Sequence, residues 1–275
     1  MSDFLQAGYT LSFFYGEKKI IFNLATVLKK LGISHIAKED YLKETGRTQD
    51  LNKIGGILDK PFLRFSAKRI KKQPSPFFSI IVTNQIHYPY YCPPFTKISH
   101  STEKKIKDCA KYVDGALKGF FKEIKNSDWF NNTLFVFTAD HSDSLDFGKQ
   151  SYYFYQDNIP LIFYHPNKDL KKYQNNQVSS HADIVPSLKD YLNLPHQRAV
   201  IYNSIFDLEN KRRFFINRRD GFLLIEDNYL TEYSCRDNQS RTYFKNTRKL
   251  VTDYKTKERF DKLIKSYIQY EYTLK

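Results

Sequence analysis

The run Phe77-Phe-Ser-Ile-Ile-Val-Thr83 is apolar almost without alternation, the signature of a β-strand covered on both faces rather than wetted on one. A sheet containing such a strand needs helices on its faces, which places the chain among layered α/β folds. Two more short runs of the same kind lie at residues 133–138 and 159–164, and residues 9–15 predict an earlier strand. Between them the apolar period becomes helical. Ile21, Leu24, Val27 and Leu28 share a face within residues 20–30, and Gly32 follows where a left-handed cap belongs. Residues 37–52 read as a polar, turn-rich segment, and residues 61–72 as a basic amphipathic helix stopped by Pro74 and Pro76. The 77–83 strand is expected at the centre of the sheet.

After it, Ser101-Thr-Glu-Lys opens a helix on which Ile106, Cys109, Val113, Ala116, Leu117, Phe120, Phe121 and Ile124 fall together. Residues 182–192 predict a helix with Pro186 in its first turn. Strand-like runs at 213–217, 221–226 and 229–235 precede a last helix near 257–270. The expected fold is α/β, a central and mostly parallel sheet flanked by helices, with a small C-terminal β-rich subdomain. Residues 1–210 form the core in this division, and residues 211–275 a small sheet plus helix of the same domain.

Hydrophobic residues at 41% and aromatics at 16% exclude intrinsic disorder. No run approaches the roughly 18 apolar residues of a membrane-spanning helix, and the first eight residues lack the basic and apolar regions of a secretory signal. The net charge of +14 has its densest cluster at Lys60, Arg64, Lys68, Arg69, Lys71 and Lys72, with a second at Lys211, Arg212, Arg213, Arg218 and Arg219. No nucleic-acid-binding signature accompanies them, so solvated helix faces are expected and nucleic acid is not a partner. Cys92, Cys109 and Cys235 are odd in number, widely spaced and free of a CxxC pattern. Neither a zinc ribbon nor a disulfide framework is expected, only reduced cysteines.

In open α/β sheets, ligands sit beyond the carboxyl ends of the strands. Residues 133–138 are followed there by Ala139-Asp140-His141-Ser142-Asp143, and residues 77–83 by Asn84-Gln85-Ile86-His87-Tyr88-Pro89-Tyr90. A carboxylate and an imidazole side by side offer a hard oxygen and a borderline nitrogen, a set that suits zinc or manganese better than calcium.

The order of segments adds a resemblance. Ala7-Gly-Tyr-Thr-Leu-Ser-Phe-Phe-Tyr-Gly16 leads, followed by Gly56-Ile-Leu-Asp-Lys-Pro-Phe-Leu63 and by Pro76-Phe-Phe-Ser-Ile-Ile-Val-Thr with His87-Tyr-Pro-Tyr. Ala110-Lys-Tyr-Val-Asp-Gly-Ala-Leu117, Trp129-Phe-Asn-Asn-Thr-Leu-Phe-Val-Phe-Thr-Ala-Asp-His141, Ile159-Pro-Leu-Ile-Phe-Tyr and Ser180-His-Ala-Asp-Ile-Val-Pro-Ser-Leu188 come next. In this order they resemble a sulfatase-type catalytic domain of the alkaline phosphatase superfamily, most similar to its lipoteichoic acid synthase and phosphoglycerol transferase branch.

The resemblance implies a metal-dependent phosphotransferase or hydrolase of phosphate or sulfate esters. Lipid headgroups such as phosphoglycerol or phosphoethanolamine, at the extracytoplasmic face of a membrane, are the implied substrates. Asp140 and His141 match its metal ligands and His87 its phosphate-contacting histidine. Asp40 and Arg47 resemble its headgroup-holding pair, and His181 is a further candidate near the metal. The Ser142-Asp143-Ser144-Leu145 that follows the Asp-His pair is closer to the "DHGES" of phosphoethanolamine transferases. The first catalytic strand and the nucleophile of the family lie upstream of the segment with which the resemblance begins. Two expectations follow: a catalytic core needing an upstream segment or chain, or a non-catalytic remnant or anion-binding subunit.

Overall fold

The computed structural model describes residues 1–17, 23–93, 102–142, 158–173, 178–195, 204–208, 213–218 and 220–273. They form two compact units, Met1–Leu170 and Lys171–Lys275. The expectations at residues 20–22, Ser101, Asp143 to Leu145, Lys211, Arg212 and Arg219 lie outside the described residues.

The first unit runs through α1 (Ser2–Gln6), β1 (Thr10–Tyr15), α2 (Leu24–Lys30), β2 (Ser34–Ala37), α3 (Lys38–Thr45) and α4 (Asp59–Ile70). It continues with β3 (Phe77–Val82), α5 (Thr102–Ile124), β4 (Phe135–Thr138) and β5 (Leu161–Tyr164). β1 pairs in parallel with β2 and β3, Ser12 lying opposite both Ser34 and Ser79, while β4 and β5 pair antiparallel. Gly32 ends α2 at φ 68°, the left-handed conformation its position requires.

The central strand of the described parallel sheet is therefore β1, and β3 stands at its edge with all six residues half-buried. An unbroken apolar run marks a strand covered on both faces, but it carries no information on strand order. β1 holds the middle despite Ser12, which is 1% exposed, because the Ser12 hydroxyl hydrogen-bonds that of Ser79 at 2.8 Å. β4 is likewise half-buried rather than buried. The 37–52 segment holds α3, whose sequence KEDYLKET has too few apolar residues for a helical period to be visible. Its start is fixed by Asp40 Oδ2, which accepts the Ala37 N–H at 2.8 Å.

On α5 the buried positions are Cys109, Val113, Ala116, Phe120 and Ile124, a stripe spaced by three or four residues. Ala116, Phe120 and Ile124 of that stripe share a core cluster with Phe62, Leu63 and Ala67 of α4 and with Phe14 and Ile36 of the sheet. Each large side chain so buried contributes about 1.5–3 kcal/mol. Trp129, the single tryptophan, sets its ring edge-on to Phe77 with centroids 5.0 Å apart. Cys92 and Cys109 are joined by a disulfide, their Cα atoms 5.3 Å apart, which corrects the expectation of reduced cysteines. Spacing could not reveal it, because the chain leaving β3 doubles back onto α5. Cys235 is free and exposed.

In the second unit a 3-10 turn (His181–Asp183) leads into α6 (Ile184–Tyr191). A four-stranded antiparallel meander follows, β6 (Arg213–Arg218), β7 (Gly221–Glu226), β8 (Tyr229–Ser234) and β9 (Gln239–Phe244), then α7 (Tyr254–Thr273). β9, like β2 of the first unit, is a strand that sequence reasoning missed, since QSRTYF reads as polar. α7 lays Phe260, Ile264 and Tyr267 on Phe222 and Leu224, and Tyr267 stacks on Phe215 at 4.1 Å. Glu226, fully buried at the end of β7, is ion-paired to both Arg213 and Arg259. Among the described residues no helix is long and apolar enough to cross a membrane.

Candidate functional site

β1 and β3 are parallel and in register to their last residues, Tyr15 opposite Val82, so the segments that leave them emerge side by side. β1 delivers Gly16 and Glu17, and β3 delivers Asn84, Gln85 and His87. Two electrostatic couplings extend this edge. The Tyr15 hydroxyl is pushed above its usual range first by burial, then by the Glu17 and Asp140 carboxylates, which brings the end of β4 into the same neighbourhood. Burial raises the Glu17 carboxyl, and Lys38, the Asn52 side chain and His87 pull it back. The exits of β1 and β3 thus lie together, and Asp140, at the end of β4 in a separate two-stranded sheet, is electrostatically coupled to Tyr15.

Asp140 and His141 are both exposed at the exit of β4. Asp140 Oδ2 lies 3.5 Å from His141 Nε2, and Asp140 Oδ1 accepts the His141 backbone N–H at 2.9 Å. His141 Nδ1 is 2.8 Å from the Ser142 carbonyl oxygen. A carbonyl can only accept, so Nδ1 carries the proton and the neutral ring has its lone pair on Nε2, beside the carboxylate. His87 is set the same way, Nδ1 to the Tyr88 carbonyl at 2.7 Å, within a loop closed by the Tyr90 N–H to the His87 carbonyl at 2.7 Å. Asp140 and His141 fit zinc or manganese by donor type, supplying two of the roughly four donors such a site needs. Among the described residues no group of three His, Cys, Asp or Glu side chains gathers to complete it.

Asp40 and Arg47 are not brought together. Asp40 is the third residue of α3, and Arg47 follows the helix end beyond Gly46. Asp40 caps the helix start, and Arg47 Nε bonds Asp50 at 2.8 Å with its side chain 57% exposed. Asp50 also accepts the Tyr41 hydroxyl, and burial first, then this bond, pushes that phenol up to about 12. His181 opens the 3-10 turn of the second unit, where Asp183 Oδ2 accepts the Ser180 N–H at 2.8 Å.

Sequence reasoning passed over two acids at this edge. Glu17 follows the first strand directly. Asp59, 1% exposed at the start of α4, accepts the backbone N–H groups of Asn84 at 2.9 Å and Gln85 at 3.0 Å, while the Gln85 side chain accepts the Asp59 N–H. This reciprocal clamp fixes the chain two residues before His87. The available signal was Leu58-Asp59-Lys60-Pro61, an acid before a proline at a helix start.

Burial pushes the Asp59 carboxyl up from 3.8 to about 6, against the opposing pull of the Asn84 and Gln85 N–H groups. A carboxyl raised by folding binds its proton more tightly in the folded chain. Its favourable contribution is complete below about pH 4 and is lost as pH rises through about 6. Urea unfolding from pH 4 to 8 is therefore expected to show the native chain losing roughly 2–3 kcal/mol relative to Asp59→Asn, at about 1.4 kcal/mol per unit of pKa shift. A pH-independent difference between the two proteins would refute the raised carboxyl.

A sulfatase family profile matches residues 2–194. Lipoteichoic acid synthase-like YvgJ of Bacillus subtilis is 28% identical over 142 residues, 50% of this chain and 22% of that protein. The lipoteichoic acid synthase of Staphylococcus saprophyticus is also 28% identical over 142 residues, with the same coverage. The matched stretch thus spans about a fifth of these relatives' length. Among solved structures, an alkaline phosphatase superfamily protein from Vibrio parahaemolyticus superposes with TM-score 0.73 at 21% identity, covering 91% of this chain and 62% of its own. The lipoteichoic acid synthase LtaP of Listeria monocytogenes gives TM-score 0.73 at 14% identity, covering 98% and 71%. Both structural likenesses show the fold.

Proposed function

The chain belongs to the sulfatase family of the alkaline phosphatase superfamily, a family of hydrolases and transferases, and from that premise we propose a metal-dependent phosphotransferase or hydrolase domain. Its substrates are phosphate or sulfate esters, with lipid headgroups such as phosphoglycerol or phosphoethanolamine foremost. The reading is supported above all by the side-by-side exits of β1 and β3, together with the electrostatic coupling of Asp140 to Tyr15 and of His87 to Glu17.

Asp140 and His141 would hold a divalent ion, zinc or manganese, through a carboxylate oxygen and Nε2. Such an ion would supply Lewis-acid polarisation of a phosphoryl oxygen. His87, its Nδ1 bonded to the Tyr88 carbonyl, would donate to the ester's phosphate from Nε2 when the ring carries both protons. Arg47, anchored through Nε on Asp50, grips the headgroup with its terminal amino groups, and Asp40 accepts from a headgroup hydroxyl. His181 is a further donor candidate, and an upstream chain or segment is the source of the nucleophile. The site of action is the extracytoplasmic face of the membrane, a reading supported by the Cys92–Cys109 disulfide, since such bonds persist in oxidising compartments.

The test separates metal from substrate. Manganese binding, followed by the electron spin resonance of the free ion, is expected to weaken at least tenfold in Asp140→Ala, on the order of what removing a metal's supporting groups does. His87→Ala should keep the metal and lose glycerol phosphate. Unchanged binding of both ligands in both variants overturns the assignment. A second reading is an anion-binding subunit without turnover. It predicts glycerol phosphate binding that is indifferent to Asp140→Ala.

A further inference from the structure

The Glu17 carboxylate stands at the exit of β1 among groups that suit an anion. A Cβ built on Gly56 collides with the Glu17 carboxylate, so that carboxylate rests directly on the bare Gly56 backbone at the exit of β1. Three polar groups favour its ionised form: the Lys38 ammonium, the Asn52 side chain and His87. None of the neighbours depends on Glu17 for its place. Lys38 Nζ donates to the Gly55 carbonyl at 2.6 Å. Asn52 is 8% exposed, and its Oδ1 accepts the N–H groups of Ile54 and Gly56 at 3.0 Å each. That commits the amide oxygen and leaves the NH2 as the donor on the Glu17 side. His87 is set by Tyr88 and the turn to Tyr90. A cation, a buried amide donor, an imidazole and a surface without a side chain make a cradle for an anion, assembled independently of the acid that fills it.

We infer that Glu17 is a resident occupant of this anion cradle, competing with a phosphate group for the place between Gly56, Lys38, Asn52 and His87. The inference rests on the proposed function, which puts a phosphate beside His87, and deepens it by naming the residue that decides how readily the phosphate enters. With Glu17 ionised, the Lys38 charge is already compensated, and an incoming phosphomonoester meets no net attraction. Two like charges in contact repel, so Glu17 must swing aside or take a proton before a phosphate can settle. The chain thereby selects for a ligand with enough other contacts to displace its own acid, and against free inorganic phosphate.

The experiment is calorimetric titration of the whole chain with inorganic phosphate. Glu17→Gln, which keeps shape and removes charge, and Glu17→Gly, which also empties the volume, should each bind phosphate at least tenfold more tightly than the native chain. Adding Lys38→Ala to either should abolish the gain. If neither Glu17 variant tightens binding, or if the gain survives Lys38→Ala, the resident-anion inference is overturned. His87→Ala separates it from the functional proposal. Loss of phosphate binding in His87→Ala without a gain in the Glu17 variants leaves the function standing and removes this inference. A gain that depends on Lys38 but not on His87 keeps the cradle and removes His87 from the proposed phosphate site.

Discussion

Replacing Arg213 and Arg259 together by alanine is expected to destabilise the C-terminal sheet by about 3–5 kcal/mol, the range for stranding a buried charge by removing its partners. The Glu226 side chain is 0% exposed, whereas those of Arg213 and Arg259 remain 35% and 44% exposed. The asymmetry decides which partner matters. Without the arginines, a carboxylate in the core of the meander has neither water nor a counter-charge. Without the carboxylate, both guanidinium groups turn outward to solvent, and Arg259 keeps its place over the Phe260 ring at 4.6 Å. Glu226→Gln should therefore cost far less than the double arginine variant. Hydrogen exchange of the β7 amides, read on the whole chain, measures both; equal losses in the two variants would show that stranding the acid costs no more than leaving the arginines unpaired.

The second large effect concerns the Cys92–Cys109 bond. It closes a 17-residue loop between the exit of β3 and the buried stripe of α5. Restricting the unfolded chain over a loop of that size stabilises by about 3 kcal/mol. Urea unfolding of Cys92→Ser, or of the native chain with excess dithiol, should lose that amount. Thiol titration of the denatured, unreduced protein should find Cys235 alone reactive. Three reactive thiols would mean that the bond does not form. Because the tether begins five residues after His87, glycerol phosphate binding should fall along with stability.

How much of this was legible in the sequence depended on whether one residue's pattern or two segments' meeting carried the information. α5 announced itself because Cys109, Val113, Ala116, Phe120 and Ile124 recur at helical spacing. The exits of β3 and β4 were legible because both strands are apolar runs ending in polar residues. α3 was not, since its stability comes from Asp40 at its start and from burying Tyr41, neither of which makes a period. The place of β1 at the centre was hidden by Ser12, whose burial is tolerable only because Ser79 lies opposite it. Glu17 and Asp59 were hidden for the same reason. Their partners, Gly56 and Lys38 in one case and Asn84 and Gln85 in the other, are distant in sequence, so their roles emerge only once the chain has folded.

The edge-on contact of Trp129 with Phe77 also gives the protein an optical address. With 21 tyrosines but one tryptophan, and that one against the first residue of β3, indole emission reports on the first unit alone, while tyrosine absorbance samples both. Two melting curves taken on one sample therefore distinguish a chain whose halves unfold as one cooperative body from a chain whose halves unfold in succession.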